Sequence, residues 1–409
     1  MSTELSAVCR LVKGGLDPRR YADDTFAHYS IPAFDSGVGP VIELGGNIHS
    51  QKTPIPSGVV LVSKLNPRIP RVWYVNDNQP YQRICSTEFV ALQPDPTMLD
   101  PEYLSFALRE ALQGGVIKGN TAAATKSRER AKPTDFLRLR VKVPSLSRQR
   151  RIVDLLSRAE NIVRMRREAE QKAKEIIPAL FLEMFGNLGM NSNGGDAAGP
   201  REHGEGRREA NSVVRLGDVA EVVSGVAKGR KLVGKVTREV PYLRVANVQA
   251  GGLDLAEMKC IPATADEIAE LAVRSGDVLL TEGGDFDKVG RGALLEADIG
   301  ECIHQNHVFR VRTHADRVMP EYFAAYLQTS AARQYFLKAA KKTSNLASIN
   351  MTQLRNLPLP LPRLETQQKF QERFRACRAL EKQQSDATGI ADVSFQSLLA
   401  GVFSERQVT

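Results

Sequence analysis

The chain is written twice. Gly58-Val59-Val60-Leu61-Val62 matches Gly276-Asp277-Val278-Leu279-Leu280, 218 positions on. Pro101-Glu102-Tyr103-Leu104 returns as Pro320-Glu321-Tyr322-Phe323 at 219. Val143-Pro144-Ser145-Leu146 with Gln149 becomes Leu361-Pro362-Arg363-Leu364 with Gln367, and Met184-Phe185 becomes Val402-Phe403, both at 218. The start matches more loosely: Leu5-Ser6-Ala7-Val8 resembles Leu216-Gly217-Asp218-Val219 at 211. Solenoid repeats run to about 20–50 residues, so a period this long means that one domain-plus-helix unit was duplicated. Two similar but diverged heads suit two similar but different ligands.

A chain of 409 residues has room for two or three domains, each with its own core. Its 56 Lys and Arg outweigh 47 Asp and Glu, a net charge of +9 that favours a polyanionic partner. The excess is local. Between Lys126 and Arg150 the basic residues Lys126, Arg128, Arg130, Lys132, Arg138, Arg140, Lys142, Arg148 and Arg150 face only Glu129 and Asp135. A solvated basic face is the bland alternative. The five cysteines stand far apart and form no CxxC pair, which indicates neither a zinc site nor a disulfide framework. No stretch approaches the ~18 apolar residues of a membrane span, and the start carries Glu4, Arg10 and Lys13 where a signal peptide would be apolar. A cytoplasmic protein with no membrane partner is expected.

Gly186 to Ser212 has no apolar period and is rich in breakers, so a flexible linker is expected there. Each front part is strand-rich, as at Gly58–Val62 and Val72–Val75. Pro101-Glu102 and Pro320-Glu321 open helices, with proline early and an acid in the first turn. Each unit ends in a helical arm. In the first, Ile152, Leu155, Ala159, Ile162, Arg166, Ala169, Ala173, Ile176 and Leu180 alternate spacings of three and four, a heptad seam. Pro178 is expected to kink or interrupt it. The second arm has a weaker seam through Phe370, Phe374, Cys377 and Leu380, with a break expected at Gly389. The same arm occurring twice makes mutual packing of the two the expected arrangement, and Ile162→Asp is expected to bury an unpaired carboxylate in the seam.

Domain, helix, domain, helix in a basic chain resembles the specificity subunit of a type I restriction–modification system, and the resemblance covers nearly the whole chain. It rests on Leu216-Gly217-Asp218-Val219, on Gly276-Asp277-Val278-Leu279, and on Gly283 to Gly292. The most specific stretch is Ser348-Ile349-Asn350 followed by Leu354-Arg355-Asn356-Leu357-Pro358-Leu359-Pro360-Leu361-Pro362 and Gln367. Leu137 to Pro144 with Gln149 repeats it less cleanly, and Lys64-Leu65-Asn66-Pro67-Arg68 also resembles a recognition-domain loop.

The resemblance implies an α+β chain of two tandem α/β target recognition domains, each followed by a long helix, the helices pairing as an antiparallel coiled coil. The expected boundaries are 1–147 for the first recognition domain, 148–186 for the central arm, 187–212 for the linker, 213–364 for the second domain and 365–409 for the last arm. Such a chain reads a bipartite double-stranded DNA target and docks two modification (methyltransferase) subunits, which restriction subunits can join. It has no cofactor of its own; S-adenosylmethionine, ATP and Mg would sit on those partners. A first arm of about 30 residues would span on the order of 45 Å, so half-sites about one helical turn or somewhat more apart are expected.

The residues agree that the chain lacks catalysis. An amino-methyltransferase needs an Asn/Asp-Pro-Pro-aromatic loop, and the nearest string, Asn356-Leu357-Pro358, has neither the second proline nor the aromatic. Glu257-Met258-Lys259 has the short ExK string, but Asp254 stands too close upstream to share a metal ion. His304 and His307 are spaced for no zinc motif, and Gly283–Gly292 lacks dinucleotide-binding spacing. The competing reading, a restriction endonuclease or methyltransferase component carrying its own recognition domains, would need one of these.

Base reading needs Arg or Lys for guanine and Asn or Gln for adenine. The candidate DNA-binding residues in the first unit are Lys64, Asn66, Arg68, Arg71, Lys126, Arg128 and Arg130. In the second they are Lys228, Arg230, Lys231, Arg244, Asn247, Lys288, Arg291, Lys341, Lys342 and Asn345. Most protein–DNA hydrogen bonds go to the backbone, so any one of these could equally meet a phosphate or water. The candidates for arm packing or partner contact are Ile152, Leu155, Ile162, Ile176, Leu180, Phe370, Phe374 and Leu380.

Overall fold

The computed structural model describes residues 2–113, 117, 129–186, 212–284, 288–342 and 347–403. The chain divides into two compact units, Met1–Glu168 with Asp386–Thr409, and Ala169–Ser385. The division falls inside both long helices, so each unit holds one head and a portion of each arm. Of the expected linker, residues 187–211 lie outside the described residues.

In the first unit, a four-stranded antiparallel sheet runs in the order Cys9–Leu11, Phe89–Pro94, Val60–Ser63, Val72–Tyr74. Val60–Ser63 is buried on both faces, which explains its unbroken run of β-branched and aliphatic residues. A second sheet runs Val41–Leu44, Thr25–Tyr29, Gln82–Ser86, Lys52–Pro54, its middle pair parallel. The helix Pro101–Ala111 closes one side. Asp100 caps it by accepting the backbone N–H groups of Glu102 and Tyr103 at 2.9 and 3.0 Å, and Pro101 fills a first-turn position where no N–H is needed. Its Tyr103, Leu104 and Leu108 pack with Val60, Val62, Leu92 and Phe136.

The second unit repeats this plan. Ala220–Ser224, Val308–Thr313, Val278–Thr281 and Gly292–Leu294 form an antiparallel sheet in the same order, strand for strand. Arg238–Leu243 lies between Lys259–Ala263 and Ile303–His304, parallel to the latter. The helix Pro320–Tyr326 stands where Pro101–Ala111 stands in the first unit, and Tyr322 and Phe323 are buried in its core. Tyr103 donates its hydroxyl to the Lys142 carbonyl at 2.9 Å, and Tyr322 donates to Pro360 at 2.6 Å. Those carbonyls belong to equivalent exit strands, Arg140–Lys142 and Pro358–Leu361, each paired with its head's first strand, Ser2–Glu4 or Ser212–Arg215. Pro358 and Pro360 are tolerated because this ladder has only two strands.

The arms are single helices, Leu146–Phe185 and Leu364–Phe403. Pro178 lies inside the first without ending it, so of the expected kink or interruption the interruption does not occur. One lost backbone bond costs about 3 kcal/mol. Ile177, Leu180 and Phe181, buried around it in the second unit's core, return about 1.5–3 kcal/mol each. Gly389 does not break the second arm either. A glycine costs a helix about 1 kcal/mol, less than the burial of Phe395 and Leu399 contributes.

The first arm buries Ala173 and Leu180 of the expected seam but not Leu155 or Ile162. Leu156 and Val163 are 0% and 6% exposed, whereas Leu155 and Ile162 are 47% and 55% exposed. Leu155/Leu156, Ile162/Val163 and Ile176/Ile177 are adjacent apolar columns, and periodicity alone cannot choose between them. The neighbouring helix chooses. In the first unit Leu156 and Val163 cluster with Phe395 and Leu399. In the second, Ile177, Leu180 and Phe181 cluster with Phe370 and Phe374. Ile152 and Ile176 are half-buried and Leu380 is 37% exposed. Among the described residues no helix is long and apolar enough to cross a membrane.

Candidate nucleic-acid interface

In the first head, the candidate residues gather where the strand Val60–Ser63 runs out. Lys64 donates its backbone N–H to Glu88 and accepts from Ala131, each at 2.9 Å, so three segments meet there. Asn66 adopts φ 50°, a left-handed conformation that asparagine tolerates better than most residues, and donates its N–H to the Glu129 carbonyl at 2.8 Å. Arg68 reaches the Glu129 carboxylate at 2.9 Å, and Arg130 makes a two-pronged contact with Glu88, both bonds 3.0 Å. Both guanidiniums remain about half exposed. The Arg130–Glu88 pair is open to solvent and contributes about 0–1 kcal/mol, so a phosphate or guanine edge can compete for Arg130. Glu129 is buried, so Arg68 keeps that carboxylate and offers DNA only the exposed part of its guanidinium. Arg71 is different: mostly buried, it is clamped on Asp35 at 2.7 and 3.0 Å and braces the head. Lys126 and Arg128 lie outside the described residues.

The second head presents two groupings. In the first, Lys228 holds its ammonium 5.8 Å from the Tyr242 ring centre, and Lys231 is exposed. Arg230 turns inward, donating to Glu267 at 2.6 and 3.0 Å and to the Pro262 carbonyl at 2.6 Å. Arg244 donates to the Glu257 carbonyl at 2.9 Å. Asn247 is buried, its amide donating to the Asp254 and Glu257 carbonyls at 2.8 and 3.1 Å while its oxygen accepts from the Arg244 N–H at 3.0 Å. These contacts organise the loop from within.

The second grouping joins Arg291, Lys288 and Lys341. Arg291 donates to Gln249 at 3.0 Å. Thr281 donates its hydroxyl to the Lys288 carbonyl at 2.9 Å, shaping the turn that carries both cations. Gly290 makes that turn possible: it sits at φ 69°, and a Cβ there would fall 2.2 Å from the Phe336 ring. The short strand Lys341–Lys342 pairs with Ala347–Ser348, which pairs in turn with Gly283–Gly284. This brings exposed Lys341 to the same edge. Asn345 and the side chain of Lys342 lie outside the described residues.

Sequence reasoning named Glu129 only as an acid within the basic run, and it missed Glu88, Glu267 and the partner amide Gln249, which also orient these cations. Only Glu267 carried a signal: Thr264 and Glu267 have capping-box spacing, and the hydroxyl and carboxylate do cap each other's backbone at 3.2 and 2.9 Å. His304 is fully buried, with Nδ1 2.7 Å from the Val308 carbonyl, while exposed His307 meets Glu282 at 2.5 Å. Among the described residues, no three His, Cys, Asp or Glu side chains gather as a metal site.

Residues 209–387 match the model of the type I restriction modification DNA specificity domain. The chain is similar to type I restriction enzyme specificity subunits. It is 25% identical over 169 residues to the EcoKI specificity subunit of Escherichia coli, a match covering 40% of this chain and 36% of that one. To the StySPI specificity subunit of Salmonella potsdam it is 23% identical over 327 residues, 76% of this chain and 66% of the other. The EcoKI match thus spans little more than a third of that relative's length. A solved chain from work on complex assembly and conformational transition of the type I R-M system superposes with a TM-score of 0.57 at 20% identity, covering 99% of this chain and 97% of that chain. That likeness establishes the shared fold.

Proposed function

We propose that the chain is the non-catalytic DNA-specificity subunit of a type I restriction–modification complex, with two target recognition domains that each read one half of a bipartite duplex target. One observation carries this. The unit that matches the DNA specificity domain shares its sheet order, its exit strand and its buried tyrosine contact with the other unit. What the second head does, the first is built to do with different loops. Arg68, Arg130, Lys231 and Lys341 are exposed or half-exposed cations for DNA, whereas Arg71, Arg230 and Asn247 brace the loops that present them.

The arms pair as an antiparallel coiled coil in this reading. Support comes from Arg167 meeting Asp392 at 2.7 Å and Tyr103 packing on Phe403 in the first unit, and from Phe181 against Phe370 in the second. Low numbers on one arm meet high numbers on the other. Two modification subunits dock on the arms, bringing S-adenosylmethionine, and restriction subunits bring ATP and Mg. The test combines purified chain, methyl donor and duplex DNA, with and without a modification subunit, and maps the methylated bases. Methylation at a split sequence only when both proteins are present supports the proposal; methyl transfer by this chain alone overturns it.

A further inference from the structure

The segment 227–237 joins Ala220–Ser224 to Arg238–Leu243, and it carries Lys228, Arg230, Lys231 and Lys235 with no acid. Its base is fixed by Arg230 on Glu267 and Pro262. Its tip is a tight turn: Lys235 donates its N–H to the Leu232 carbonyl at 3.0 Å, and Gly234 takes φ 79° as the third turn residue requires. That turn leaves Val233 97% exposed and Val236 93% exposed. Two β-branched apolar side chains bared almost completely, on an anchored loop ringed by lysines, have no role in the core. The first head is built differently at the matching place. There the corresponding segment, 12–24, balances Lys13, Arg19 and Arg20 against Asp17, Asp23 and Asp24, and Arg19 is tied to Asp17 at 2.9 Å.

We propose that Val233 and Val236 read thymine, packing on C5-methyl groups in the major groove while Lys231 and Lys235 hold the flanking phosphates. The proposal rests on the DNA-reading function above and assigns part of its specificity. The lysines set the partner's sign, a polyanion. The valines set what is read, because thymine offers the one apolar group on a base edge in that groove. They accept no hydrogen bond, so they discriminate by contact area alone.

The test uses the full-length chain reconstituted with modification subunits. Wild-type protein selects its target from a random duplex pool, and each thymine of that target is then replaced in turn by deoxyuridine, which lacks only the methyl group. Wild-type binding should weaken about fourfold at one or two thymines of one half-site, the weight of a buried methyl group. In the double variant V233A/V236A those losses should fall below twofold, while methyl-dependent positions in the other half-site keep theirs. Both side chains are solvent-exposed, so the variant folds as the wild type does. A variant that retains every wild-type loss overturns the proposal, as does a wild-type target with no methyl-dependent thymine. Failure of wild-type protein to select any sequence overturns the DNA-reading function itself.

Discussion

The Gln367 Oε1 accepts the backbone N–H of Met319 at 2.9 Å, where the second arm meets the residue before the helix Pro320–Tyr326. Its Nε2 donates to the Arg317 and Pro362 carbonyls at 3.0 and 2.9 Å, so one fully buried amide ties the start of the arm to two turns of its head. Gln149 does the same in the first unit, accepting from Asp100 and donating to Met98 and Pro144, all at 2.8 Å. Both glutamines were visible in the sequence as members of the repeat. Their task was not.

Replacing Gln367 with leucine keeps the volume but orphans one buried N–H and two carbonyls. Each orphaned group costs about 1–3 kcal/mol, so a loss of roughly 3 kcal/mol or more is expected. Gln149→Leu should match it. Urea denaturation of each variant measures this, and a loss under 1 kcal/mol would mean that water replaces the side chain.

The arm register predicts a contrast between neighbours. Val163→Asp buries a carboxylate among Leu156, Phe395 and Leu399 and should cost several kcal/mol. Ile162→Asp, expected from the sequence to do the same, should cost less than about 1 kcal/mol, because the side chain is mostly in solvent. Thermal melts of the two variants decide it. If Ile162 instead serves a docked subunit, its aspartate variant should keep its melting temperature and lose that subunit in a pull-down.

Burial pushes the His304 imidazole down to about 4, with the Arg310 charge acting in the same direction. The unfolded chain takes up this proton below pH ~6.5, while the folded one resists until about pH 4. Stability from this group is therefore complete above pH ~6.5 and declines as pH falls towards 4. His304→Gln should remove that part of the slope. Denaturation midpoints at pH 7 and pH 4.5, compared between variant and wild type, test it.

Glu267 titrates in a lower window. Hydrogen bonding to Arg230 holds its carboxyl down to about 2 against an ordinary 4.5. A depressed acid stabilises above its unfolded value and loses that contribution as pH falls through the folded one. Arg230→Gln should thus be less stable than wild type at pH 5 and above, with the difference closing as pH approaches 2. A difference that does not change between pH 5 and pH 2 would show that the arginine acts through packing alone.

The sequence by itself determined the duplication, the helix starts at Pro101 and Pro320, the two arms and the framework strands. Each of these is set by local or periodic chemistry: proline and an acid in a first turn, heptad spacing, unbroken apolar runs. It could not say which of two adjacent apolar columns, Leu155/Ile162 or Leu156/Val163, turns inward, because both satisfy the same period and only the neighbouring helix distinguishes them. Nor could it see that packing would carry the helices past Pro178 and Gly389. Among the cations, Arg71 and Arg230 read the same in sequence as Arg68 and Lys231. Tertiary structure separated them: Asp35 and Glu267, from distant segments, draw Arg71 and Arg230 inward, whereas Arg68 meets Glu129 with half its side chain still exposed and Lys231 stays in solvent, since a cation's role depends on how much of it its neighbours bury.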